Sequence, residues 1–121
     1  MDGKKTSAAA VSATGLLSAL RGVEQRLRSA AVQQHVKAQA DAEAGRKFAA
    51  ARQELSALVG RLTDAELDAL AGPAAGLAGE LAAATARLDR QLTCLRRVAG
   101  ILQGLDAVLG LAARLAVVAA A

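Results

Sequence analysis

The stretch that decides the fold is residues 77–116, LAGELAAATARLDRQLTCLRRVAGILQGLDAVLGLAARLA. Apolar side chains recur in it at every third or fourth position, the spacing of one helix face, with a single irregularity between Leu88 and Leu95. Alanine and leucine, the two best helix formers, supply 52 of the 121 residues. The stretch therefore predicts a long helix with a narrow aliphatic seam. The seam positions are Leu77, Leu81, Ala84, Leu88, Leu92, Leu95, Val98, Leu102, Leu105, Leu109, Ala112 and Ala116.

A second apolar series runs from Leu16 to Leu62 in the same helical rhythm. Its middle, residues 32–47 (VQQHVKAQADAEAGRK), keeps good helix formers but places polar residues on the seam. No glycine or proline interrupts this middle before Gly45, so we expect residues 7–62 to form one long helical arm. A break near Gly45 is the alternative.

Capping and breaking residues mark the boundary between the two arms. Residues 63–66 (TDAE) match a capping box, in which a threonine hydroxyl and a glutamate each satisfy a free amide. Gly72-Pro73 suits the end of one helix and the first turn of the next. We expect a short capped connector helix over residues 63–73, a second long arm over residues 74–121 and a disordered tail over residues 1–6.

These segments predict an all-α fold without strands. The two arms form a long antiparallel helical hairpin or, if the first arm breaks, a small bundle of three to four helices. Most of the apolar residues are alanines, and alanine buries little surface, so the free energy gained by burial within one chain is small. We therefore expect further burial against a second copy, another protein or a bilayer.

The composition provides few side chains for catalysis or metal binding. The chain has one histidine, His35, one cysteine, Cys94, and no tryptophan or tyrosine. His35 has no acidic residue at ligand spacing and is expected to be an exposed helix residue. Cys94 has basic neighbours but no second cysteine, so we expect a small residue in or beside the seam. The sequence predicts no catalytic residue, no metal ligand and no cofactor, and therefore no enzyme.

The positive charge of the chain is concentrated in its first half. The net charge is +4, and residues 1–62 hold ten lysines and arginines against five acidic residues, whereas residues 63–121 hold five against six. The basic residues of the first half do not align on one helix face, and Phe48 is the only aromatic residue available for base stacking. A solvated helix surface is therefore preferred to a nucleic-acid interface.

The C-terminal segment, residues 98–121, is apolar enough to raise the question of a membrane. It follows Arg96-Arg97, and 24 helical residues rise roughly 36 Å, enough to cross a hydrocarbon core of about 30 Å. Asp106 and Arg114 oppose this interpretation, because each charge near the bilayer centre costs about 2.5–3.5 kcal/mol. They lie about 80° apart around the helix and would both face a protein partner or an aqueous lumen. A core helix or an oligomer interface is the preferred interpretation.

We therefore predict a non-enzymatic helical scaffold or adaptor subunit, which packs against a second copy or another helical protein. The alternative is a membrane-inserting or pore-forming protein that uses residues 98–121, and the third hypothesis is a basic helical protein associated with nucleic acid. No signal peptide is apparent, which favours the cytoplasm, with membrane association as the alternative. The predicted interaction seam consists of Leu88, Leu92, Leu95, Leu102, Leu105 and Leu109.

Overall fold

The computed structural model describes residues 12–65 and 73–120, and these residues form five α-helices and no strand. The all-α prediction is confirmed, and the architecture is the small bundle rather than the two-armed hairpin. The helices are α1 (Ala13–Leu27), α2 (Ala30–Gln39), α3 (Ala42–Asp64), α4 (Pro73–Thr93) and α5 (Val98–Ala120).

The first predicted arm, residues 7–62, is not continuous in the part that the structure describes. It is divided into α1, α2 and α3 by breaks at residues 28–29 and 40–41. The alternative, a break near Gly45, is close to the second of these breaks, since Gly45 lies in the first turn of α3, four residues after Asp41. The breaks remove the polar seam positions that one continuous helix would have presented to the core.

Side-chain caps cause both breaks. The Ser29 hydroxyl accepts a hydrogen bond from the Val32 amide at 3.3 Å, and the Asp41 carboxylate accepts one from the Ala44 amide at 2.8 Å. Serine and aspartate at these positions satisfy amides that the start of a helix leaves unpaired, so a new helix begins after each of them.

The predicted connector helix, residues 63–73, lies mostly outside the described residues, as does the predicted tail, residues 1–6. Where the connector can be compared, it differs from the prediction. Thr63 belongs to the last turn of α3, and its hydroxyl donates to the Val59 carbonyl at 2.8 Å. The threonine therefore closes α3 instead of opening a new helix.

The second predicted arm, residues 74–121, is divided at residues 94–97 into α4 and α5. The two helices are antiparallel and pack extensively against each other. Because of this break, the segment forms a hairpin whose two helices bury each other's apolar faces. One long helix would have needed a partner to bury its apolar face.

Four helices form the bundle, and the short α2 packs at one end of it, where Val32 and Val36 are buried. Around the bundle, α1 and α5 each pack against both α3 and α4. Arg21 donates to Thr63 at 3.0 Å and Arg28 to Ser56 at 2.9 Å, so α1 and α3 are antiparallel. At the α2 end, the ring nitrogen Nε2 of His35 donates to the carbonyl of Arg96 at 2.6 Å and ties α2 to the α4–α5 turn.

The core is almost entirely aliphatic. Phe48 is its single aromatic side chain, and the one buried polar residue among those described, Thr85, donates its hydroxyl to the Leu81 carbonyl at 2.7 Å. Burial of each complete leucine side chain stabilises the bundle by about 1.5–3 kcal/mol. The largest fully buried side chains are Leu16, Leu20, Val23, Leu27, Leu55, Leu62, Leu81, Leu88, Leu92, Ile101, Leu105 and Leu115.

Candidate interaction surfaces

The predicted interaction seam is divided between the core and the surface. Four of its members are buried within the bundle itself: Leu88, Leu92, Leu105 and Leu109. Leu102 is half-buried, and Leu95 is 39% exposed. A side chain already covered by its own chain is not available to a partner. The buried four therefore stabilise the fold, and any interaction surface has to be sought on the outside of the bundle.

The outer side of α5 is one such surface. α5 is the one described helix that is long and apolar enough to cross a membrane, with a mean hydropathy of 1.7 within Val98–Ala119. Only 33% of that apolar stretch is buried inside the bundle. Length and composition alone do not separate a spanning helix from a core helix. The remaining positions of the helix are half-buried or exposed.

The exposed residues of α5 follow one helix face, which we call the α5 stripe. It contains small residues and one strongly exposed valine, Val117, with 71% of its surface accessible. A Cβ atom added at Gly110 would meet no atom within 4 Å. Both predicted polar residues lie on this stripe. Its members are Ala99, Gln103, Asp106, Ala107, Gly110, Arg114 and Val117.

The second surface is built around the α4–α5 turn, where backbone hydrogen bonds close the end of α4. The amide of Leu95 donates to the Leu92 carbonyl at 3.2 Å, and the amide of Arg96 donates to the Gln91 carbonyl at 2.9 Å. This pair of bonds is the Schellman motif, in which the first residue after the C-cap adopts a left-handed conformation and is usually glycine.

Here that residue is Leu95, with a φ of 50°. A left-handed backbone brings the Cβ atom close to the following carbonyl and costs about 1–2 kcal/mol for a residue other than glycine. The leucine is also one of two large hydrophobic residues that are exposed in the described part of the chain. The turn therefore combines a strained backbone with a partly exposed aliphatic side chain.

Four arginines lie within eight residues of this leucine in the chain. A depression of about 600 Å³ at the turn is lined by Cys94, Gln91, Ala99 and Gly100 together with four arginines. None of the four pairs with a carboxylate among the described residues; the nearby Asp89 binds Arg26 at 2.8 Å instead. We call Leu95 and these arginines the basic turn. Its arginines are Arg87, Arg90, Arg96 and Arg97.

A further basic depression lies between α2 and α3 at the same end of the bundle. Its floor includes Val36 and Phe48, and its basic residues are Arg28, Lys37 and Arg52. Glu24 lies 3.5 Å from Arg28, whereas no described carboxylate pairs with the other two. Positive charge is thus concentrated at one end of the folded molecule, and not simply in the first half of the sequence.

His35 and Cys94 have the most reactive side chains of the chain. His35 has a structural role, and Cys94 has none that the structure shows. His35 is half-buried rather than exposed, because α2 turns it toward the α4–α5 turn. Cys94 is exposed at the end of α4, which fits a position beside the seam rather than in it. Within residues 12–65 and 73–120, no cluster of histidine, cysteine and acidic side chains could hold a metal ion.

Sequence reasoning missed the basic turn, although a signal was present. Four arginines occur within residues 87–97, and the seam shows its one irregularity there. Comparison with known proteins adds nothing to this assignment: no protein-family model, curated protein or solved structure matches the chain.

Proposed function

We propose that the chain is a non-enzymatic helical scaffold that works as a homodimer, in which α5 pairs antiparallel with α5 of a second copy. The observation that carries this proposal is the arrangement of charge on the α5 stripe. Asp106 and Arg114 are opposite in sign, and each lies four residues from Gly110. The stripe is therefore complementary to itself when it is reversed.

The geometry of such a pair follows from helix dimensions. Four residues rise about 6 Å, so a two-fold axis at Gly110 places Asp106 of one copy level with Arg114 of the partner, twice per dimer. Because Gly110 has no side chain at the point where the two helices are closest, the distance between the two helix axes can be near 8 Å. Val117 and the half-buried Leu102 and Leu111 lose solvent contact on both sides.

The proposed interface predicts a modest affinity. One helix face buries an area at the low end of specific interfaces, and its ion pairs stay partly solvated. We therefore expect a dissociation constant in the range of about 1–100 μM, which corresponds to roughly 5–8 kcal/mol. The molecular mass should rise from monomer to dimer over that range of concentration.

Glycine substitutions provide a matched test by light scattering. Gly110→Gln places a side chain at the centre of the interface and should keep the chain monomeric to at least about ten times the wild-type dissociation constant. Gly22→Gln is the control, because Gly22 is also an exposed mid-helix glycine with no atom within 4 Å of an added Cβ. Both substitutions replace glycine by a better helix former, so their effects on helix stability should be similar. Only the Gly110 variant should lose dimerisation. Equal dimerisation of the two variants would contradict the proposal.

Charge reversal tests the register of the pair. Asp106→Arg sets arginine opposite arginine, and Arg114→Asp sets aspartate opposite aspartate, so each variant alone should be monomeric. An equimolar mixture restores both ion pairs and should form heterodimers. A mixture that stays monomeric, or single variants that dimerise like the wild type, would exclude this register.

A bilayer is the second candidate occupant of the α5 stripe, supported by the hydropathy of α5. It predicts that the chain floats with vesicles of neutral phosphatidylcholine and that Asp106→Leu increases this binding. Homodimerisation predicts instead that neutral vesicles leave the chain in solution at every concentration.

A further inference from the structure

The basic turn combines two features that do not serve the stability of the bundle. Leu95 holds a left-handed backbone where glycine would be unstrained, and its side chain is exposed. The four arginines of the turn line one depression, and none of them forms an ion pair with a described carboxylate. A ligand that accepts an aliphatic side chain and carries several negative charges would use both features together.

We propose that the basic turn docks on the surface of an anionic lipid bilayer. Leu95 enters the interfacial region, and Arg87, Arg90, Arg96 and Arg97 contact lipid phosphates. The planar guanidinium group binds phosphate with two parallel hydrogen bonds, and basic clusters beside an apolar side chain are attracted to anionic membranes. α5 remains in the bundle, so this is docking at the surface and not insertion.

The position of the second basic depression favours a broad, flat partner. Lys37 and Arg52 lie at the same end of the bundle but on its α2–α3 side, and α2 is tied to the basic turn by the bond from His35 to Arg96. A bundle end is roughly 20 Å across. Cations spread over such a width match a charged surface better than the single edge of one acidic helix.

Nucleic acid fits the same end less well. The single aromatic side chain, Phe48, is buried at 4% exposure, so no ring is available there for stacking on bases. Leu95 would remain in water beside a phosphate backbone, whereas a bilayer gives it an apolar environment. The proposal is independent of dimerisation, because the α5 stripe does not include the basic turn.

Vesicle sedimentation tests the charge requirement with the full chain. We expect binding to vesicles that contain about one-third phosphatidylglycerol, and none to vesicles of phosphatidylcholine alone. Because each basic residue near the surface contributes about fivefold in affinity, Arg90→Gln with Arg97→Gln should weaken binding by roughly 25-fold. The control is Arg21→Gln with Arg61→Gln, which removes the same charge near the opposite end of the bundle and should change binding less than about threefold.

Leu95→Gly separates docking from stability. Glycine relieves the left-handed backbone, which offsets the partial contacts that the leucine loses, so the thermal midpoint should not fall. Binding to anionic vesicles should nevertheless fall by at least about threefold, because the side chain that enters the interface is gone. A purely structural role predicts unchanged vesicle binding. Leu95→Asn, which also tolerates the left-handed region, should reproduce the loss.

Several results would overturn the proposal. These are binding to neutral vesicles, binding that persists at about 1 M salt, vesicle binding unchanged in Leu95→Gly, and no binding to anionic vesicles. Tighter binding to duplex DNA or to polyglutamate than to anionic vesicles would assign the same arginines to another class of partner. Light scattering of Gly110→Gln keeps the outcome separate from that of dimerisation, since this variant should still bind anionic vesicles.

Discussion

The α1–α2 and α2–α3 junctions differ from the α4–α5 junction in how the chain stops being helical. At the first two, Ser29 and Asp41 cap the following helix through their own side chains. At the third, no serine, threonine, aspartate or asparagine precedes α5, and the turn depends on Leu95 in a left-handed conformation. The first two breaks are therefore made by side-chain caps, whereas the third is closed by backbone hydrogen bonds of a Schellman motif and has no side-chain cap.

The largest expected effect lies beneath the α4–α5 turn. Leu92, 1% exposed, is the last buried residue of α4 before the turn, and Leu92→Ala leaves a cavity where no side-chain cap supports the break. We expect the free energy of unfolding to fall by about 2–5 kcal/mol. Val36→Ala, beneath the α2–α3 junction, should cost less because it removes two side-chain carbon atoms instead of three. Urea denaturation measures both, and equal losses would contradict the larger contribution expected of Leu92.

A smaller effect is expected at a capped junction. Ser29→Ala removes the side chain that starts α2 and should lower the free energy of unfolding by about 1 kcal/mol. Ser18→Ala is its matched control, because Ser18 is exposed in the interior of α1, where alanine is the better helix former. That change should raise the free energy of unfolding by about 0.5 kcal/mol. Chemical denaturation that gives the same sign for both would contradict the role of the cap.

The smallest effect concerns the position where a break was expected. Gly45 lies in α3, and a Cβ atom added there would meet no atom within 4 Å. Gly45→Ala should therefore stabilise α3, raising the free energy of unfolding by about 0.5–1 kcal/mol. A loss of stability in the same denaturation experiment would show that a flexible residue is required at this point after all.

How far the sequence predicts this molecule depends on whether its signals are local. The helical seams follow from residue spacing, so the fold class and the buried positions such as Leu88 and Leu105 could be predicted. Ser29 and Asp41 are residue types that favour the N-cap position, but the good helix formers on either side of them predicted a continuous helix.

The turn at Leu95 had no local signal apart from the irregular seam, because leucine is among the residues least expected in a left-handed conformation. Which seam residues would remain exposed could not be predicted either. Exposure depends on which faces of the four helices pack against one another. In the folded molecule this packing leaves Leu95, a predicted seam residue, at the surface.

The central position of Gly110 on α5 determines what a dimer could hold together. Arg96 lies fourteen residues before Gly110, or about 21 Å along the helix axis. In an antiparallel pair centred at Gly110, the two basic turns would lie roughly 40 Å apart and face in opposite directions. Such an object cannot lie with both basic turns on one flat sheet of lipid. Together, the two proposals therefore predict that a dimer presents its two basic turns to separate membrane surfaces rather than to one.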